Sequence, residues 1–122
     1  MHANVGLVKT FIAKGTIAPL TIVKYGAGDR FALAASAATD KFAGVAALPA
    51  GVTAAAEEPI DVIKSGVADV IYGGTVTVGD MLTTDAQGRA IVASAGNNVI
   101  GQAQVSGVVG DLGAVLIQFG KI

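Results

Sequence analysis

Gly79-Asp80-Met81-Leu82-Thr83-Thr84-Asp85-Ala86-Gln87-Gly88-Arg89-Ala90-Ile91-Val92-Ala93-Ser94-Ala95 is the stretch on which the reading of this chain turns. Two short runs of β-forming residues, Met81 to Thr84 and Ala90 to Ala93, flank a turn in which Asp85 suits the first position and Gly88 the left-handed one. This pattern predicts a β-hairpin, with Arg89 opening the returning strand. A similar passage stands upstream, where Gly28-Asp29-Arg30 leads into Phe31-Ala32-Leu33-Ala34-Ala35-Ser36-Ala37. In both, a Gly-Asp turn leads to an Arg that opens an apolar, Ala-rich run. The echo continues: Phe42-Ala43-Gly44-Val45-Ala46 answers Val99-Ile100-Gly101-Gln102-Ala103, and Ile60 to Gly66 answers Ala114 to Gly120. Such repetition marks one supersecondary unit used twice, because one unit alone cannot bury its apolar face. Two pseudo-equivalent halves closing one core are expected.

Working outward, 17 glycines separate short runs rich in Val, Ile and Thr, which suits many short strands better than long helices. The expected class is all-β, a compact β-barrel or sandwich. Its strands are expected at Leu7 to Ala13, Leu20 to Tyr25, Phe31 to Ala35, Phe42 to Ala47, Ile60 to Ser65, Val67 to Ile71, Met81 to Thr84, Ala90 to Ala93, Val99 to Val105 and Gly113 to Phe119. Val62-Ile63 and Val115-Leu116-Ile117 are apolar without alternation, so both faces of those strands are expected to meet protein. Ala-rich segments favour helix, but Pro49 and Pro59 limit them, which leaves one helical turn near Thr53 to Glu57, capped by Thr53. Residues 1–18 lie outside the repeated pattern and read as an extended N-terminal arm that pairs with a sheet edge, its own or a neighbour's. Residues 19–122 form the β core of a single domain.

The length of 122 residues suits one domain that buries roughly two thirds of the surface of its unfolded chain. Cysteine is absent, which removes disulfides and thiolate metal sites. Eight basic and nine acidic residues give a formal net charge of -1. No basic run is present to neutralise a phosphate backbone, so direct nucleic-acid binding is not expected. The composition is 52% hydrophobic and 14% charged, with a mean hydropathy of +0.65. Apolar surface reserved for partners accounts for such values. The uncharged stretch from Ala90 to Gly110 holds Asn97, Asn98, Gln102, Gln104 and several glycines, which argues against a membrane helix. No signal peptide is visible, so cytoplasmic synthesis is expected.

Chemistry-bearing constellations are scarce. His2 is the one histidine and stands beside Met1 without a second ligand or base nearby in sequence. Asp85-Ala86-Gln87-Gly88 lacks the alternating oxygen ligands and closing Glu of a calcium loop. Asp29 and Asp80 follow glycines and read as acceptors for turn N–H groups rather than as paired catalytic carboxylates. Glu57 and Glu58 are adjacent, so they point apart. Gly26-Ala27-Gly28-Asp29 lacks the Lys-Ser/Thr ending of a phosphate loop. Tyr25, Tyr72, Phe11, Phe31, Phe42 and Phe119 are too dispersed for a base-stacking platform and suit a core. No catalytic residue, metal or cofactor is assigned, and the protein is not expected to be an enzyme.

The segment Tyr72-Gly73-Gly74-Thr75-Val76-Thr77-Val78-Gly79-Asp80-Met81-Leu82, continuing to Ala90, resembles the best-marked part of a family of tailed-phage head proteins, the small capsid decoration or cement proteins. The resemblance extends through Ala38 to Ala46, Glu58 to Val70, Val99 to Ala103 and Gly110 to Ile117, and so covers most of residues 38 to 117. It implies a β-rich structural protein on the outer capsid surface of the virion. It also implies an oligomer, a trimer before a dimer, with the major capsid protein as partner and capsomers bridged beneath it. No catalytic residues come with it.

Two other readings stand beside this one. A small β-barrel that binds a ligand or serves as an accessory domain would show a concave pocket with convergent polar groups. An enzyme using Asp29 or Asp80 at an oligomer interface is the third.

Overall fold

A computed structural model of the chain describes residues 4–28, 30–48 and 51–122. His2, Asp29 and Pro49 lie outside the described residues. The elements are all strands: β1 (Asn4–Val5), β2 (Val8–Ala13), β3 (Ile22–Tyr25), β4 (Phe31–Ala34), β5 (Phe42–Ala46), β6 (Pro59–Ile63), β7 (Gly66–Ile71), β8 (Met81–Thr84), β9 (Ala90–Val92), β10 (Asn98–Ala103) and β11 (Leu112–Lys121). Every strand expected from the sequence is present, β8 with the expected ends and the others with one end or both shifted by a residue or more.

The duplication is complete, strand for strand. In the first half β2 pairs parallel with β4 and antiparallel with β6, while β3 lies between β4 and β5, and β5 returns to β6. The five close into a barrel in the order β2-β4-β3-β5-β6. In the second half β7 pairs with β11, β11 with β10, β10 with β8, and β8 with β9. A parallel bridge from Tyr72 to Ala90 then brings β9 back to the end of β7, where β2 and β4 meet in the first half. The Gly73 N–H donates to the Ala90 carbonyl at 2.8 Å, and the Lys14 N–H to the Ala32 carbonyl at 2.9 Å, so the two rings are closed by the same bond.

Four similar turns precede β3, β6, β8 and β11. They bridge in pairs, Ile17 with Ala54 and Val76 with Gly107, once in each half. Acidic side chains set three of them. Asp80 Oδ2 accepts from the Thr77 N–H and Asp111 Oδ2 from the Val108 N–H, both at 2.9 Å, and the Glu58 carboxylate accepts from the Ala55 N–H. Glycine at Gly44 and Gly101 has one cause. Each lies so close to the partner strand that a Cβ would overlap a backbone carbonyl, of Ile63 in the first half and of Leu116 in the second.

Several expectations change. Gly28 belongs to the β3–β4 hairpin, the counterpart of Asp85 to Gly88, whereas Gly79-Asp80 precedes β8 and corresponds to Leu20-Thr21. The strand register also makes Ile60 equivalent to Gly113, so the last pair of matched runs slips by one residue. The helical turn near Thr53 is absent, because Ala54 is held in extended pairing by two hydrogen bonds with Ile17. The residues read as an N-terminal arm divide: β1 edges the second sheet against β7, but β2 is the first strand of the first barrel. Phe11, Ala13 and Ile17 fill that barrel and are at most 1% exposed, and burying a residue such as Phe11 contributes about 2–3 kcal/mol.

The single expected core is two clusters. Phe11, Val23, Ala43, Ala54, Ile60 and Val62 belong to the first barrel alone. Ile22, Phe42, Val45 and Ile63 instead face outward from it and join Val70, Tyr72, Leu82, Ile100 and Val115 of the second half. Adjacent residues Val62 and Ile63 therefore enter different cores, which explains the unbroken apolar run. Leu116, in the other such run, is 37% exposed, so that face of β11 is not covered.

Candidate functional site

The hairpin that singled itself out in the sequence is architectural. Asp85 Oδ1 accepts from the N–H groups of Gln87 and Arg89, both at 2.9 Å, and Oδ2 receives Arg89 Nε at 2.7 Å. Its tip docks on the first half, where the Ile22 N–H donates to the Gly88 carbonyl at 2.9 Å. Gly88 is buried there, and a Cβ on it would overlap Thr21. Asp80 is spent on its turn, as described. Glu57 pairs with Lys14 at 2.8 Å, and Glu58 caps its own turn. Among the described residues, no three of His, Cys, Asp and Glu come together as a metal site would need.

Among the described residues, two groups have shifted pKa values, each for a structural reason. Burial alone would raise the Asp40 pKa, but bonds from the Ser36 and Ala37 N–H groups and the nearby Lys24 ammonium outweigh it, so the carboxyl sits below the usual range. Burial raises the Tyr72 phenol above its ordinary value, while its hydroxyl donates to the Val105 carbonyl at 2.6 Å.

What the fold does create is a cleft of about 550 Å³ between the halves. Pro19 and Leu20, from the turn before β3, form one wall, with Leu48 beside them; Asp69 and Ile71 of β7 and Leu112 of β11 form the other. Among the described residues the lining is apolar apart from Asp69, whose Oδ1 is buried without a hydrogen-bond partner. Leu112 is 53% exposed and leads from the cleft to Val108 and Val109 on the preceding turn, both also exposed, with Val78 on the turn bridged to it.

Asp69 and Leu20 were not singled out by sequence. The signal that could have found them is internal comparison in the correct register, which sets Leu20 against Gly79 and Asp69 against Thr10. Matching Gly79-Asp80 with Gly28-Asp29 hides the Leu20–Gly79 mismatch, and the weak identity between β2 and β7 hides the one at Asp69.

The fold thus defines an all-β class in which a closed five-stranded barrel is followed by a second sheet that repeats its strand connectivity. No family model matches the chain, and no curated protein matches it. Among solved structures it is similar to the N base of the head fiber gp8.5 in bacteriophage phi29, at 23% identity with a TM-score of 0.69. The alignment covers 95% of this chain and 97% of that one, so the likeness takes in both halves. The all-β fold expected from the resemblance to phage head proteins is the fold of a phage head fiber component.

Proposed function

We propose that this protein is a structural component of a phage virion that binds the outside of the head through the major capsid protein and stabilises it by bridging capsomers. The end-to-end fold likeness to a head fiber base carries this reading. The surface supports it: Val78, Val108, Val109 and Leu112 are more than half exposed on and beside adjoining turns, an apolar patch of the kind that marks protein contacts. The chain acts without catalysis, is made in the host cytoplasm and works as a homo-oligomer, a trimer before a dimer. Several modest contacts then add through avidity.

Co-sedimentation of the purified protein with undecorated heads of the phage that encodes it tests the reading. Saturable binding at a fixed ratio to the capsid protein supports it; absence of binding to intact heads rejects it. A ligand-binding barrel remains the second reading, favoured by the cleft between the halves.

A further inference from the structure

We infer that the cleft between the two halves receives an apolar segment of the capsid protein carrying one basic side chain, whose cation is held by Asp69. This assignment rests on the head-binding reading above and names the element that is bound.

Internal symmetry supplies the argument. Because the halves share one fold, a residue that differs between equivalent places, with no packing partner that changes to match it, has a cause outside that fold. At the turn before β3 the backbone takes φ 61° at Leu20, where the second half uses Gly79 at φ 94°. A branched side chain in that region is strained, and such strain persists where another role maintains it. Glu57 is the other non-glycine residue with positive φ among the described residues, and its side chain has a visible partner in Lys14. Leu20 has no such polar partner; its side chain lines the cleft.

The second departure faces the first. In β2, Thr10 donates its hydroxyl to Asp61 on β6 at 3.0 Å. The equivalent pair in the second half is Asp69 on β7 and Ala114 on β11. The carboxylate therefore has no cross-strand donor, and its Oδ1 is buried and unpaired. A buried acceptor without a donor is costly, and a carboxylate most of all. Both departures line the same apolar cleft, in which Asp69 is the charged group. A basic group supplied from outside completes Asp69, and the apolar part of the same segment covers Leu20, Ile71 and Leu112.

The occupant is a chain segment, because the cleft opens beside the exposed Leu112 and Val109, which continue its apolar surface toward the turn tips. Two substitutions separate binding from folding. Leu20→Gly places glycine where the second half already has it and relieves the left-handed strain, and Asp69→Asn keeps the shape while removing the charge. Both variants are expected to keep the wild-type oligomer and unfold at no lower temperature. Each is expected to bind heads about tenfold more weakly, with Asp69→Asn also losing salt sensitivity.

Wild-type binding to heads with both variants unchanged would overturn the cleft assignment and leave the head-binding reading standing. Wild-type failure to bind would overturn both. A changed oligomer with head binding intact would assign the cleft to a second copy of this chain and overturn the proposal.

Discussion

The ring of Tyr72 lies directly on Gly113, so that a Cβ at Gly113 would overlap the phenol carbons. In the first half the same two places hold Ala13 and Ile60. The equivalence is fixed by hydrogen bonds: Tyr72 N–H donates to the Asp111 carbonyl and Ala13 N–H to the Glu58 carbonyl, each at 2.9 Å. One barrel thus uses a small residue against a large one, and the other reverses the sizes. Ala54 and Gly107 follow the same rule, since a Cβ on Gly107 would also press on the Tyr72 ring.

Size exchange at this pair has a measurable consequence. Gly113→Ala is expected to cost about 1–3 kcal/mol by overpacking, and Tyr72→Ala about 3–5 kcal/mol by leaving a cavity. The double variant Tyr72→Ala, Gly113→Ile copies the first half and is expected to recover part of the second loss. Urea denaturation measures all three; a double variant no more stable than Tyr72→Ala alone would show that the positions are not coupled.

Gly44 and Gly101 should behave as one position. Alanine at either would meet a backbone carbonyl, which cannot rotate away as a side chain could. Each substitution is expected to destabilise by at least about 1–3 kcal/mol, with similar size in the two halves. A large loss at one glycine and none at the other, in the same thermal or urea melts, would break the equivalence.

The Asp85 hairpin is predicted to couple the halves. Asp85→Ala removes two bonds from N–H groups and the pair with Arg89, at a cost of about 2–3 kcal/mol. Because Gly88 receives the Ile22 N–H, hydrogen exchange at Ile22 in the first barrel should accelerate in this variant. Unchanged protection at Ile22 would mean that the hairpin docks independently of its acid.

Both abnormal titrations predict a direction. The raised pKa of Tyr72 favours the neutral phenol when folded, so its contribution is complete below the ordinary value of 10.0 and declines as pH rises through the folded value. Phenolate absorbance from Tyr72 should therefore appear together with loss of near-ultraviolet circular dichroism. The lowered pKa of Asp40 works in the opposite sense. Its contribution is present above the ordinary value of 3.8 and fades as pH falls through the folded value. Asp40→Asn should flatten the acid limb of a stability-against-pH curve.

The strands were legible because glycine and turn residues bracket short apolar runs, as at Met81 to Thr84 and Ala90 to Ala93. The duplication was legible for a related reason: Gly44 and Gly101 are required by the same close approach, and the fold preserves both. Its true register was hidden, because Gly79-Asp80 looks like Gly28-Asp29 although it corresponds to Leu20-Thr21. The cleft is hidden for the same kind of reason, since its Leu20 and Asp69 stand out only as departures from symmetry in the true register. The role of β2 is hidden in the sequence because its buried Phe11 and Ala13 correspond to Val70 and Tyr72, so neither is repeated. Backbone pairing, rather than side-chain identity, makes the two strands equivalent.

Release of DNA from heated heads tests the central claim most directly. Heads of the encoding phage, prepared without this protein and then saturated with it, should retain their DNA to a higher temperature than undecorated heads. Equal release temperatures, with the protein verified as bound, would contradict a stabilising role on the capsid.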